Sequence, residues 1–268
     1  MESIATLNPS DVLDTTAKFF RLLEREGVEW THYRLPIDSK EARGNLAEYL
    51  KRGCPDLTAD PVPVAMPTAI PPQWERARAI MGTNMFGLEE AIRHFGVRPS
   101  QQELEALVTI PFSEEVLTAC RETHVLVVIF PFSILEIRSK VARKLFWKTD
   151  WYNNQAFAKE HGEVGWHLIR KTPIDNSTSK TWPEQQALLV ETEETPKARV
   201  MVYTIIGHFL ATGERLFERI YVRCVDLDSD GSRVYVGSFD AGGLYVDDIV
   251  WDGHRYGGIG VASARKSV

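Results

Sequence analysis

Three aspartates at alternate positions, Asp226, Asp228 and Asp230, followed by Gly231, make the most metal-like spacing in this 268-residue chain. They match the opening of a calcium-binding EF-hand loop, where carboxylates at the first, third and fifth positions offer oxygens to a hard cation. That loop also requires a bidentate glutamate at its twelfth position, and counting from Asp226 that position is Gly237. The flanking strings, IYVRCVD and RVYVG, have the β-branched and aromatic content of strands, whereas an EF-hand needs helices. Ser229 to Ser232 therefore read as a polar hairpin turn. The seven histidines never fall in HxH or HxxxH spacing, and Cys54, Cys120 and Cys224 form no CxxC pair. A zinc site would have to be gathered from distant segments. No GxSxG, GxGxxG or phosphate-loop string occurs, and the glycines of GGIG at Gly257–Gly260 lead into a strand instead of a helix. Glu191, Glu193 and Glu194 read as a solvated acidic run. The sequence thus supplies no catalytic residue, no metal ligand set and no cofactor site, and the expectation is a protein that is not an enzyme.

The elements that would position any site change character along the chain. The first 120 residues read as mostly helical, a region of unknown role. Ser10 can cap a helix to Glu26, and a second runs from Lys40 to Arg52. Residues 53–73 carry six prolines and read as a loop. Helices are then expected over Trp74–Met81, Gly87–Phe95, Gln101–Leu107 and Glu114–Arg121, with Ser100 and Glu103 as a capping box. From His124 onward the texture is that of strands: HVLVVIF, ILEIR, GWHLIRK and, after residue 219, IYVRCVD, RVYVG, GLYV and GIGVASARK. Between them lie a short helix over Asn153–Lys159, a capped turn at Thr181 and Glu184, and an amphipathic helix over Lys197–Ala211 stopped by Gly213. This order predicts an α+β fold, with a boundary near residue 120 between the helical region and a domain over 121–268.

Bulk properties narrow the partners. A net charge of −6 argues against nucleic acid, which needs a cationic face. The longest apolar run, His124–Leu135, is broken by Pro131 and is too short to span a bilayer, so no membrane insertion is expected. The first residues show neither the basic nor the apolar stretch of a signal peptide; the location is left open between cytoplasmic and phage-associated. Three widely spaced cysteines suggest a reducing compartment and no disulfide framework.

The segment from Arg233 to Lys266 has a composition of its own. Between Ser232 and Arg265 it contains no Lys, Glu, Gln, Met, Asn or Thr. Tyr, Gly, Asp and Ser alternate with the apolar anchors Val234, Val236, Phe239, Leu244, Val246, Trp251, Ile259 and Val261. Rigid aromatic area beside small adaptable polar residues is the composition of a paratope.

The ordered set Arg233-Val234, Val236-Gly237, Phe239-Asp240, Gly243-Leu244 with Val246, Trp251-Asp252 with Arg255, Ile259-Gly260-Val261 and Ser263-Ala264-Arg265-Lys266 resembles a known family. It is similar to the variable region of proteins diversified by diversity-generating retroelements. The strings GWHLIRK, NSTSKTWPEQQALL, ARVMVYTI and LATGERLFERIYVR resemble that family's scaffold, and the likeness covers residues 120 to 268. It implies a C-type-lectin-like domain with a mixed sheet and two helices, a fold shared with formylglycine-generating enzymes. It also implies a variable region over about 233–266 that binds a protein or another macromolecule. Mutagenic reverse transcription would replace residues encoded by adenine-rich codons. The slots so implied are Tyr235, Ser238, Ala241, Gly242, Tyr245, Asp247, Asp248, Ile249, His254, Tyr256, Gly257 and Gly258. Two features depart from the pattern: Gly253 stands where a second aspartate often follows WD, and Val246 to Trp251 is one residue longer than usual. Two alternatives stand beside this reading, a catalytic lectin-fold relative of formylglycine-generating enzymes and a purely structural domain. Cys54, Cys120 and Cys224 do not supply the reactive pair that the first would need.

Large aromatics favour the core, so Trp166, Trp182 and Trp251 are expected to be largely buried. The turn reading of the aspartates makes a direct prediction. EDTA should leave the melting temperature unchanged, and a calcium-dependent rise of the size tight binding gives would restore the metal site.

Overall fold

The structure, a computed structural model, describes residues 71–147, 150–249 and 251–267. The helices expected over Ser10–Glu26 and Lys40–Arg52, Cys54 and most of the proline-rich stretch lie outside the described residues. Those described fall within the compact unit Val64–Val268. No helix among them is long and apolar enough to cross a membrane.

The first helices follow the sequence closely. They are α1 (Pro72–Met81), α2 (Leu88–Phe95), α3 (Gln101–Leu107) and α4 (Glu114–Cys120), with the two-residue strand β1 (Met85–Phe86) after α1. The box at the head of α3 forms: the Ser100 hydroxyl accepts from the Glu103 amide, and the Glu103 carboxylate accepts from the Ser100 amide at 2.7 Å. Strand β2 (His124–Ile129) is buried at all six residues. It pairs in parallel with β1 and antiparallel with β3 (Gly165–Arg170). The helices before residue 120 share one hydrophobic core with the strands after it. The change of texture there marks a change of element type within a single packed core.

One strand expected from composition is a helix. ILEIR lies in α5 (Ile134–Lys140), because Ser133 and Glu136 form a capping box, with the Ser133 amide donating to the Glu136 carboxylate at 2.8 Å. Fixing the first turn this way outweighs the β preference of two isoleucines. After α6 (Ala156–Lys159), β3 and α7 (Trp182–Gln186) come the short strand β4 (Glu193–Glu194) and the long α8 (Ala198–Thr212). Helix α8 was expected to show one apolar stripe. Instead Ala198–His208 are buried without interruption, because the helix touches both sheets as well as α2 and α5. At Gly207 the helix packs closely: a Cβ there would lie 3.0 Å from the Phe86 ring.

The remaining strands are β5 (Tyr221–Leu227), β6 (Arg233–Asp240), β7 (Gly243–Ile249), β8 (Ile259–Val261) and β9 (Ala264–Arg265). They complete two mixed sheets, ordered β1-β2-β3-β9-β4 and β7-β6-β5-β8. The α+β class stands. The expectation of one mixed sheet with two helices from residue 121 onward is corrected to two sheets and four α-helices among the described residues. Of the short helices, α6 lies within the helix expected over Asn153–Lys159 and α7 follows the Thr181–Glu184 capping box, whereas α5, of seven residues, is too short for apolar periodicity to reveal.

The aspartate run divides between two tasks. The Asp228 carboxylate accepts from the amides of Asp230 (2.9 Å) and Ser232 (2.7 Å), which closes the β5–β6 turn. Asp226 faces the other way, and its carboxylate accepts from the Ala198 amide at the head of α8, 2.5 Å away. A residue from β5 thus caps a helix that lacks a side-chain cap of its own. Asp226→Ala should lower unfolding free energy by about 1 kcal/mol in chemical denaturation, the usual value of a lost cap. Asp230→Ala should shift it by less than about 0.5 kcal/mol.

Candidate functional site

Strand alternation gives the β5–β6–β7 surface two faces. Inward, Val222, Val234, Val236, Leu244 and Val246 are all 2% exposed or less. Outward stand Tyr221, Tyr235 and Tyr245, each half-buried. The register sets Tyr235 opposite Asp247 and Gly237 opposite Tyr245. The Tyr221 ring meets Tyr235 edge-on at 5.0 Å and Tyr245 at 5.9 Å, while Trp147 stacks on Tyr245 at 5.3 Å. The result is a continuous aromatic row of Trp147, Tyr245, Tyr221 and Tyr235. Burial and the neighbouring Asp247 carboxylate push the Tyr235 hydroxyl well above the ordinary tyrosine range, so it stays protonated.

Gly237 is where β6 departs from regular pairing. Its φ of 143° is open to glycine, and a Cβ there would run into the Ile220 carbonyl. The register shifts between Gly237 and Asp240, which carries Ser238 to a partly exposed position and sends Phe239 inward. Ala241 and Gly242 form the exposed tip, and a Cβ on Gly242 would sit 3.4 Å from the Trp147 ring.

A second group occupies the loop after β7. His254, Tyr256 and Gly257 are exposed, Gly258 is half-buried, and the His254 and Tyr256 rings stack at 6.3 Å. Two arginines hold this loop. Arg223, with no exposure, donates from Nη2 to the His254 carbonyl (2.7 Å) and from Nη1 to the Lys180 carbonyl and the Gln185 side chain. Arg233 grips the Asp252 carboxylate with Nε and Nη2 at 3.1 and 2.9 Å, and its guanidinium lies 4.1 Å above the Trp182 ring. The loop also hangs from its own backbone. The Ser179 amide donates to the Tyr256 carbonyl, the Tyr221 amide to the Gly258 carbonyl and the Trp182 amide to the Asp252 carbonyl.

The structure brings Tyr235, Tyr245 and Asp247 together on one face, with Tyr221 linking them to the loop through its bond to Gly258. Asp248 is turned away, because alternation sends it to the opposite face, where its carboxyl meets that of Asp228. Ile249 closes β7 opposite Arg233. Trp251, expected in the core, is 62% exposed. Its neighbour Asp252, itself partly exposed, turns to Arg233 instead, and a Cβ on Gly253 would overlap the Trp251 ring. Trp166 is buried as expected, whereas Trp182 is only partly covered, with Arg233 above it. Sequence reasoning missed Trp147 and Tyr221, which precede the segment Arg233–Lys266. The signal for Tyr221 was its place two residues before Arg223, on the outward parity of β5; Trp147 carried none.

Burial, with the Asp228 hydrogen bond and charge, raises the Asp248 carboxyl to about 6. Asp228 is held below its ordinary range, so the pair keeps a proton into mildly acidic conditions. A folded value above the unfolded one, about 3.9, means that the folded state binds more protons between the two. The contribution of Asp248 is therefore full below about 4 and is lost as pH rises through about 6, while Asp228, held low, contributes with the opposite sign and loses its share as pH falls. Asp248→Asn should flatten that slope and raise the melting temperature at pH 7.5; an unchanged slope from pH 4 to 7 in the variant would disprove the shared proton.

Family models, curated proteins and solved structures offer no match to this chain.

Proposed function

We propose that residues 121–268 form a non-catalytic, C-type-lectin-like ligand-binding domain whose surface near the C-terminus is diversified by mutagenic reverse transcription. Its ligand is a protein or another macromolecule. The observation that carries this reading is the division between slots and frame. Among the described side chains, every slot residue retains exposure, while Val234, Val236, Leu244, Val246 and Ile259 are 4% exposed or less. A surface built for replacement needs that division, because a residue that changes between variants cannot also carry the core.

The aromatic row supports binding over catalysis. Tyrosines and tryptophans supply large rigid contact area at little entropic cost, and they dominate the energetics of interfaces. Tyr235 and Tyr245 belong to the slots. Trp147 and Tyr221 would stay constant as a fixed aromatic floor beside them. The ordered frame residues and the α+β class support the lectin-like assignment; the second mixed sheet was not part of it.

Replacing Tyr235, Tyr245 and Tyr256 together with Ser should cost less stability than Leu244→Ala alone, which should lose about 2–5 kcal/mol by opening a cavity. Thermal and chemical denaturation of the two variants side by side decides the matter. If the triple variant unfolds while Leu244→Ala stays stable, frame and face are reversed and the reading fails. A near-copy of the codons for Arg233–Lys266 in the flanking DNA, beside a reverse transcriptase gene, would establish the diversification itself.

A further inference from the structure

Arg199, in the first turn of α8, is 7% exposed, and its Nε and Nη1 are buried without a hydrogen-bond partner among the described residues. It differs from the other two buried arginines. Arg223 has three acceptors and Arg233 has a bidentate carboxylate. Glu160 and Asp226 lie near enough to act on it by charge, but a buried guanidinium whose N–H groups have no acceptor is still costly, and folded proteins seldom leave one so. Arg199 lines an open cleft of about 560 Å³ between the α3–α4 connection and the segment 160–167. Gly162 makes room for it, since a Cβ there would overlap the guanidinium.

The charges around the cleft define what could complete it. Lys197 already pairs with Glu160. Burial and the nearby Arg199 push His167 down to about 4, so it is neutral at physiological pH. Glu163 adds a negative charge to the lining, and Asp226 is engaged with the Ala198 amide. Glu160 and Asp226 act on Arg199 through their charge, yet neither accepts from its Nε or Nη1, so what Arg199 lacks is acceptors. The carboxylates nearby oppose a doubly charged phosphate more than a singly charged ligand. The walls beyond it include Ala106, Pro111 and Val164. A planar guanidinium pairs best with a planar carboxylate.

We propose that this cleft binds a small monocarboxylate with an apolar body, its carboxylate on Arg199 and its body against Ala106, Pro111 and Val164. The site uses none of the residues of the aromatic face and is independent of the function proposed for it.

The test is calorimetric titration, with thermal shift, of the full chain at pH 7.5 with 4-phenylbutyrate, the uncharged 4-phenylbutyramide and inorganic phosphate. Saturable binding and a raised melting temperature are expected with the carboxylate alone. Arg199→Gln should keep the fold, since it removes buried donors that have no acceptors, and should weaken carboxylate binding by at least about tenfold. Ala106→Glu, on an exposed helix position at the cleft, leaves Arg199 in place and should weaken binding through repulsion; it decides the question if Arg199→Gln does not fold. Absence of carboxylate binding, equal binding of the amide or of phosphate, or carboxylate affinity unchanged in the variants that fold would overturn the proposal.

Discussion

The Arg223 guanidinium, wholly out of solvent on the outer side of a β-sheet, is the constraint around which the C-terminal half is arranged. By parity it belongs to the same face as Tyr221 and Tyr235, which remain partly open. It can be buried only because other parts of the chain come to it: the Lys180 carbonyl, the Gln185 side chain and the His254 carbonyl. Gln185 is itself buried and donates to the Ser177 and Ile259 carbonyls, so the arginine is one node in a polar network joining α7, β5, β8 and the loop after β7. Removing one acceptor would strand a charge in low dielectric, which is why such networks tend to hold together as a whole.

Arg233 repeats the arrangement one strand away, with Asp252 and Trp182 as its partners. The two arginines divide the outer surface of the sheet. One end is closed by α7 and the loop; the other stays open and carries the aromatic row. The inner surface needs no such device, because α8 covers it with apolar side chains along most of its length. A sheet with a dry side and a side split between clamp and opening follows from a few residues at alternating positions on β5, β6 and β7.

Much of this could be read from the sequence, and the failures share a physical cause. Long periodic segments and capping boxes were legible: α3, β2, β3, α7 and α8 lie where their patterns put them. ILEIR was misread because composition was weighed without the Ser133–Glu136 box beside it. Trp251 was placed in the core on hydrophobicity, yet this stretch is fixed by Asp252, whose salt bridge to Arg233 no local pattern announces. Asp226 looked like a ligand or a turn and is a helix cap supplied from another element. Within the site, alternation around Val234, Val236, Leu244 and Val246 was enough to separate Tyr235 and Tyr245 from the frame. It could also have shown Asp248 facing the other way. Trp147 is absent from any sequence argument because it reaches the face through tertiary packing alone.

In the loop after β7, His254, Tyr256 and Gly258 are each held by a main-chain oxygen, to Arg223, Ser179 and Tyr221, while the side-chain ties fall to Asp252 and Arg255. All twenty amino acids possess that oxygen. Such a segment can drift through sequence space with its path conserved, because the genetic text at those codons is silent about the loop's course and speaks only about what the surface offers outward. Heritable shape and heritable chemistry are then written in separate places, the first in Arg223 and its neighbours, the second in the codons of the loop.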